Sequence, residues 1–316
     1  MVHGTHWPAG KRPVAVLAGV VIALTAAGCG STNASNSADS STVITAIGAE
    51  NEYANVLAQI GGRYVRVSSV LDNPNTDPHT FEASPAVAQK VSSASLIVQN
   101  GVGYDSWISK METASPNPQR KVIVAQSVLG LPDSTPNPHL WYDPKTMPAV
   151  AKAMAAGLSD LVPAHKAYFQ KNLAAFDRSL APWLSAIAAF KAKYAHTAVA
   201  TTEPVADYLL TAMGITNLTP FRFQADIMNG VEPSPQDISL LDSFFSQHKA
   251  KVFVYNQQVT DALTTSIRQA ALRAGVPVVG VYETMPTSGY RYQSWMLAEV
   301  QAIQKAVTTK TSTQKL

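Results

Sequence analysis

Hydrophobic positions along the chain form two kinds of run, and the two alternate. Short runs rich in β-branched residues at 43–47, 65–71, 96–98 and 122–124 are separated by stretches of helical spacing at 51–60 and 85–92. Strands that alternate with helices predict a parallel sheet covered by helices on both faces. The same alternation returns later, with strands expected at 198–201, 252–255 and 276–281 and helices at 234–247, 261–274 and 293–307. Between the two regions the chain reads as helix from 144 to 161 and again from 164 to about 193. In the second stretch Phe169, Leu173, Phe176, Leu180, Leu184 and Ile187 recur at spacings of three or four, which makes one apolar stripe. An unbroken helix there would reach about 45 Å at 1.5 Å per residue. It would form a stiff strut between two lobes, with Pro182 expected to kink or break it; two ordinary packed helices are the alternative. The expected fold is α/β, with two lobes, each a mostly parallel sheet flanked by helices, joined by a long linking helix. The expected boundaries are 43–150 for the first lobe, 151–195 for the linking helices and 196–316 for the second lobe.

At 316 residues the chain is about twice the size of a usual domain, and 46% hydrophobic residues are enough to bury a sizeable core. The 24 Lys and Arg nearly balance the 21 Asp and Glu. No basic run offers a footprint for nucleic acid. Lys11 and Arg12 precede an apolar run from Val14 to Ala27, too short to span a bilayer and followed by Gly28-Cys29. Residues 1–28 therefore read as a signal peptide. Cys29 is the only cysteine, which excludes an intramolecular disulfide and a thiolate metal cluster. Ala26-Ala27-Gly28-Cys29 resembles a bacterial lipobox, in which Cys29 becomes the acylated N-terminus, with Ala26 where Leu is more usual. The Ser/Asn-rich stretch that follows, 29–42, suits a flexible tether. The expected location is the extracytoplasmic face of the cell membrane, with contact to the bilayer through the lipid anchor only.

Of the 7 histidines, His79 and His139 occupy matching Pro-His loops, Asp77-Pro78-His79-Thr80-Phe81 and Asn137-Pro138-His139-Leu140-Trp141. Proline fixes the approach to each histidine, and an aromatic residue two positions later can shield the ring. Two imidazoles in the same local frame, far apart in sequence, suggest a shared Zn, Mn or Fe ion. Anionic oxygens must complete such a site. Thr201-Thr202-Glu203-Pro204 and Val281-Tyr282-Glu283-Thr284 each place a glutamate just past a predicted strand, although each alone would equally suit a helix N-terminus. His165, His196 and His248 suit surface or capping roles, while Tyr104, Trp141 and Asp143 are candidates to surround the ligands.

These residues together resemble the zinc- and manganese-binding solute-binding lipoproteins of bacterial ABC transporters. The resemblance runs over essentially the whole chain from Val43. Its features are Ile60-Gly61-Gly62, Asn73 to His79, Asn100-Gly101-Val102-Gly103-Tyr104-Asp105, the Pro138-His139 loop closing on Trp141-Tyr142-Asp143-Pro144, Glu232-Pro233-Ser234-Pro235, Asn256-Gln257 and Gly275-Val276-Pro277-Val278. The resemblance implies one divalent ion held between the lobes by His79, His139, Glu203 and Glu283. The last position is usually Asp, which leaves Asp226 as an alternative fourth ligand. It also implies a monomer that captures the metal as cargo and hands it to a membrane permease with its ATPase, the long helix restricting hinge closure. Two imidazoles and two carboxylates form an oxygen-rich set that leans towards Mn2+ over Zn2+, although zinc binds most such sites more tightly. Two other functions are alternatives on these residues. A secreted metallohydrolase would need an open coordination position, and neither a His-Glu-x-x-His nor a Gly-x-Ser-x-Gly motif is present. A surface adhesin would show an adhesive module, and none is visible. The chain is therefore expected not to be an enzyme.

Overall fold

The computed structural model describes residues 43–286 and 289–316. The leader, Cys29 and the proposed tether lie outside the described residues. The first half runs β1 (Ile44–Glu50), α1 (Asn51–Gly61), β2 (Val65–Leu71), α2 (Pro85–Ser93), β3 (Leu96–Gln99), α3 (Ser106–Ala114), β4 (Lys121–Val124) and α4 (Ala125–Val128). Then come α5 (Thr146–Leu161), α6 (Lys166–Ser179) and α7 (Ala181–Tyr194). The second half is β5 (Ala198–Thr201), α8 (Asp207–Ala212), β6 (Thr216–Asn217), α9 (Phe221–Met228), α10 (Pro235–Ser246), β7 (Val252–Asn256), α11 (Ala262–Arg273), β8 (Val278–Val281) and α12 (Tyr292–Thr309).

The strands form two four-stranded sheets with the same order, β2-β1-β3-β4 and β6-β5-β7-β8, and every pairing is parallel. The expected α/β fold with two parallel sheets is therefore present. Strands β3, β7 and β8 are buried along their whole length because helices cover both faces, which explains their continuous rather than alternating apolar sequence. Two glycines set the first crossover. A Cβ on Gly48 would collide with the backbone of Ala54, where β1 turns into α1. Gly62 ends α1 with φ +51°, and a Cβ there would collide with the Tyr168 hydroxyl. The second half closes its helices with side chains instead. Ser234 accepts from the Asp237 N–H at the start of α10, and Asp261 and Thr264 form a reciprocal box at the start of α11.

In the linking stretch, Val162 and a 3-10 turn over Pro163–His165 separate α5 from α6, and from Lys166 to Tyr194 the chain is helical but for an irregularity at Leu180. Pro182, in the first turn of α7, has no N–H to give to the preceding turn. Leu180 still keeps right-handed backbone (φ −79°, ψ −15°), and its carbonyl accepts from Leu184 N–H at 3.0 Å. The long linking helix is therefore two segments joined by a single irregular residue. Helix α6 packs on α1 and α5 of the first half, while α7 packs on α12 of the second. A single apolar cluster runs from Ile44 and Leu57 through Phe176 and Trp183 to Val281 and Ile303, so the two halves share one core. Polar bonds stitch the same seam: Asn51 exchanges two 2.8 Å hydrogen bonds with the Met285 backbone, and Tyr292 Oη donates to Trp141 O at 2.6 Å. No helix among the described residues is long and apolar enough to cross a membrane.

One buried acid sits in this seam. Glu299 on α12 accepts from Trp295 Nε1 at 2.9 Å and Tyr142 Oη at 3.3 Å, and Tyr142 Oη also donates to Tyr282 O at 2.8 Å. Burial pushes the Glu299 carboxyl up to about 8, only partly offset by those two donors. The folded protein therefore holds a proton that the unfolded chain releases near the ordinary carboxylate value of 4.5. Between those two values stability falls as pH rises. Glu299→Gln, neutral at every pH, should raise the melting temperature by about 2–6 °C at pH near 8.5 and by less at about 5.5. Thermal melts of both proteins across that range check it; an equal difference at both ends would contradict the assignment.

Candidate metal centre

The two Pro-His loops share one local device. Asp77 Oδ1 accepts from His79 N–H at 2.9 Å, and Asn137 Oδ1 accepts from His139 N–H at 3.0 Å. In each case an Asx side chain bonds the backbone two residues on, across a proline of fixed φ, so the sequence itself sets the direction of the histidine. Asn137 does more, because its Oδ1 also lies 2.8 Å from His139 Nδ1. A carbonyl oxygen can only accept, so Nδ1 carries a proton and donates it to Asn137, and Nε2 is the nitrogen turned to the cleft. Asn137 is held in turn by donating from Nδ2 to Pro204 O at 2.8 Å, next to Glu203.

The acids come from strand ends in the second sheet. Glu203 lies two residues past β5 and Glu283 two past β8. Asn256, the last residue of β7, donates from Nδ2 to Glu203 Oε1 at 2.9 Å and to Glu283 Oε1 at 2.7 Å. One amide thus spans both carboxylates. The other oxygen of Glu283, Oε2, lies 3.1 Å from His79 Nε2 and 3.2 Å from His139 Nε2, and it accepts from Tyr104 Oη at 3.0 Å. The His79 contact is close but not aligned as a hydrogen bond. Ligand atoms of His79, His139 and Glu283 all lie within 4.8 Å of one another. Glu203 stands outside that group, joined to it through Asn256, and its Oε2 is buried with no hydrogen-bond partner.

Electrostatics follow from this packing. Burial would raise the Glu283 carboxyl, but the two imidazoles outweigh it and hold Glu283 well below the usual carboxylate range. Burial lowers His79, yet the neighbouring Glu283 carboxylate prevails and leaves it above the ordinary imidazole value. For His139, wholly buried, desolvation prevails and its pKa is lowered. Glu203 is pushed well above its ordinary value by burial and by the charge of Glu283, eased in part by Asn256. Two nitrogen donors and a buried orphan carboxylate oxygen beside a second carboxylate fit a divalent transition cation, which would offset the charge that the protein leaves unpaired.

Other sequence candidates fall elsewhere. Asp226 sits half-buried on α9, outside the three-residue group. Asp143 Oδ1 accepts from Lys145 N–H at 3.0 Å and so shapes the turn into α5. Tyr104 and Trp141 do pack around the histidines, with ring centroids 5.8 and 5.4 Å from His139. His165 stacks on Tyr64 at 3.6 Å, and His196 and His248 are exposed. Several residues at the centre were not anticipated. Gln258 accepts at Oε1 from the N–H groups of Glu283 (2.6 Å) and Thr284 (2.9 Å). Polar residues directly after the apolar run of β7 were the available signal for it and for Asn256. Glu50 and Glu52 are fully buried without partners for their carboxylate oxygens, and burial raises both well above the ordinary range.

The manganese-binding lipoprotein MntA of Bacillus subtilis (strain 168) is 26% identical over 159 residues, 48% of this chain and 51% of that protein. The chain thus spans about half the length of that relative. The manganese ABC transporter substrate-binding lipoprotein PsaA of Streptococcus pneumoniae is 27% identical over 224 residues, 66% of this chain and 70% of its own. Among solved structures, the crystal structure of ZnuA aligns with a TM-score of 0.69 at 22% identity, covering 84% of this chain and 100% of the other. The periplasmic zinc binding protein TroA from Treponema pallidum gives 0.71 at 18% identity, covering 85% and 99%. At such identities these two likenesses speak for the fold alone. A family model described as ZnuA, zinc-uptake complex component A periplasmic, matches residues 49–306, a stretch that takes in every strand but most of β1, both Pro-His loops and both glutamates. By that match the chain belongs to the ZnuA family.

Proposed function

We propose that the protein is an extracytoplasmic receptor that captures one divalent transition cation between its two sheets and delivers it to an ABC permease and its ATPase. The observation that carries this reading is the meeting of His79 Nε2, His139 Nε2 and a Glu283 carboxylate oxygen within 4.8 Å, beside the unpartnered Glu203 Oε2. His79, His139, Glu203 and Glu283 are the proposed ligands. Four protein donors leave no open position for a substrate or an activated water, so capture and handover fit better than hydrolysis. The family is one of metal-binding transport receptors. Anchoring through acylated Cys29 and a tether over 29–42 would keep the receptor beside its permease, and several relatives are named lipoproteins.

Relatives are named for manganese and for zinc, so names do not choose the cargo. Two carboxylates among four ligands, either able to bind through both oxygens, suit the higher coordination of Mn2+, which we take as the favoured cargo. Zn2+ binds more tightly in absolute terms by the Irving–Williams order. On this reading Glu203→His raises the ratio of zinc to manganese affinity, measured by competition between the two ions; an unchanged ratio would count against Glu203 as a ligand.

His79→Ala and Glu203→Ala should each weaken metal binding by at least about 100-fold, since even groups that only orient a ligand are worth about 10–100-fold. Calorimetry or dye competition reads the affinity, and circular dichroism confirms that the fold survives. Wild-type affinity in either folded variant would refute the site.

Binding must also displace protons. His79 holds its proton more tightly than an ordinary imidazole, and Glu203 more tightly than an ordinary carboxylate. A cation requires both deprotonated, so uptake releases protons and affinity falls as pH is lowered from about 7.5 to 5.5, through the imidazole range. An affinity independent of pH across that window would contradict this charge arrangement.

A further inference from the structure

Of the four proposed ligands, His139, Glu203 and Glu283 are almost wholly buried, whereas the side chain of His79 is 17% exposed. A cavity of about 930 Å³ opens on the cleft, its wall including Asp77, His79, Tyr104, Trp107, Gln258 and Asp261. His79 is the one ligand on that wall, so a cation that uses this opening passes the turn that carries His79. That turn is tied mostly to itself. Thr76 N–H donates to Asn73 O, His79 N–H to Asp77, and Phe81 N–H to Pro78 O. Among the described residues, only two polar contacts join it to the second half of the chain. One is His79 with Glu283, and the other is Gln258 Nε2 donating to Thr76 O at 2.8 Å.

The second contact belongs to an amide with no spare capacity. Gln258 Nε2 also donates to Thr284 Oγ1 at 3.1 Å, while its Oε1 accepts the two backbone N–H groups of Glu283 and Thr284. Its own N–H donates to Asn256 Oδ1 at 3.0 Å. Gln258 is 6% exposed; its bonds to Glu283 and Thr284 are buried, and the one to Thr76 O is partly so. A single side chain therefore ties the His79 turn to the backbone of Glu283, and through Asn256 to the amide that spans both carboxylates.

We infer that Gln258 is a positioning residue that latches the His79 turn over the cleft and so sets how long a captured cation stays. The inference rests on the receptor reading above. The latch bond spans the two halves, so it must break before the His79 turn can swing away from the other three ligands. Once it is open, the His79–metal bond is the remaining polar tie between the turn and the second half, and its loss uncovers the ion for release from the other three ligands.

Two substitutions separate the latch from other roles. Gln258→Glu keeps acceptors for the Glu283 and Thr284 N–H groups but sets a carboxylate oxygen against Thr76 O. Gln258→Met keeps the length and removes every polar contact of the side chain. Loaded with Zn2+ and mixed with excess chelator in a stopped-flow instrument, both variants should release the ion about tenfold faster than wild type, the scale of one sheltered hydrogen bond. Association should stay within about twofold, because the open turn admits the ion as before. The added charge of Gln258→Glu would by itself slow release of a cation, so acceleration in both variants identifies the lost tie rather than charge. In a His79→Ala background the Gln258 substitutions should no longer change the release rate, because no gating ligand remains to hold. Release at the wild-type rate in both variants, or acceleration that persists in full without His79, overturns the latch while leaving the receptor reading intact. A wild-type protein that takes up no metal overturns both.

Discussion

Two carboxylates, Glu203 and Glu283, are held in a cleft closed to water with one amide between them, and their charge has to be met. A buried carboxylate without a counter-charge is costly. Glu283 is met by His79 and His139 drawn against one of its oxygens, while Glu203 is left with a raised proton affinity and an oxygen without a partner. A divalent cation in the cleft would meet both carboxylates at once. The burial of the histidines, the Asx-Pro-His turns that aim them and the hydrogen bonds of Asn256 all serve that arrangement.

The fold makes such a cleft almost unavoidable. Each sheet has the order 2-1-3-4, so its neighbouring crossovers diverge beside the first strand, and loops at the carboxyl ends of the strands gather there. Glu203 and Asn256 come from adjacent strands β5 and β7, and Glu283 follows β8 beside them. The first sheet supplies the turns carrying His79 and His139. A core that runs unbroken between the halves, with α6 and α7 laid along it, argues against a wide hinge. Motion is more cheaply placed in the turns than between the sheets.

Much of this was legible in the sequence because seven of the eight strands sit on runs rich in apolar or β-branched residues, continuous in the central strands and broken by Arg66, Ser68 and Ser69 in the partly exposed edge strand β2. The eighth, Thr216–Asn217, is only two residues long and polar, and its place comes from pairing with β5 rather than from its own pattern. Helix α9 was missed because Phe221, Phe223, Ala225 and Ile227 alternate along the sequence, a spacing of two that does not read as helical, and it begins directly after Pro220. The apolar stripe through Leu180 is continuous across the irregular residue, and the pattern therefore reads through it. The Pro-His pairing and the strand-end glutamates could be found because each needs only local sequence to suggest its role. The roles of Gln258, Asn256 and the buried Glu50 and Glu52 could not, since an amide or acid takes its meaning from partners that only the tertiary fold brings near.

The most direct test of the metal centre is a crystal of the loaded protein measured on either side of the manganese or zinc absorption edge. A single anomalous peak is predicted at about 2.0–2.3 Å from His79 Nε2, His139 Nε2 and oxygens of both Glu203 and Glu283. A peak bound by other residues, or one that leaves either glutamate beyond bonding distance, would contradict the account.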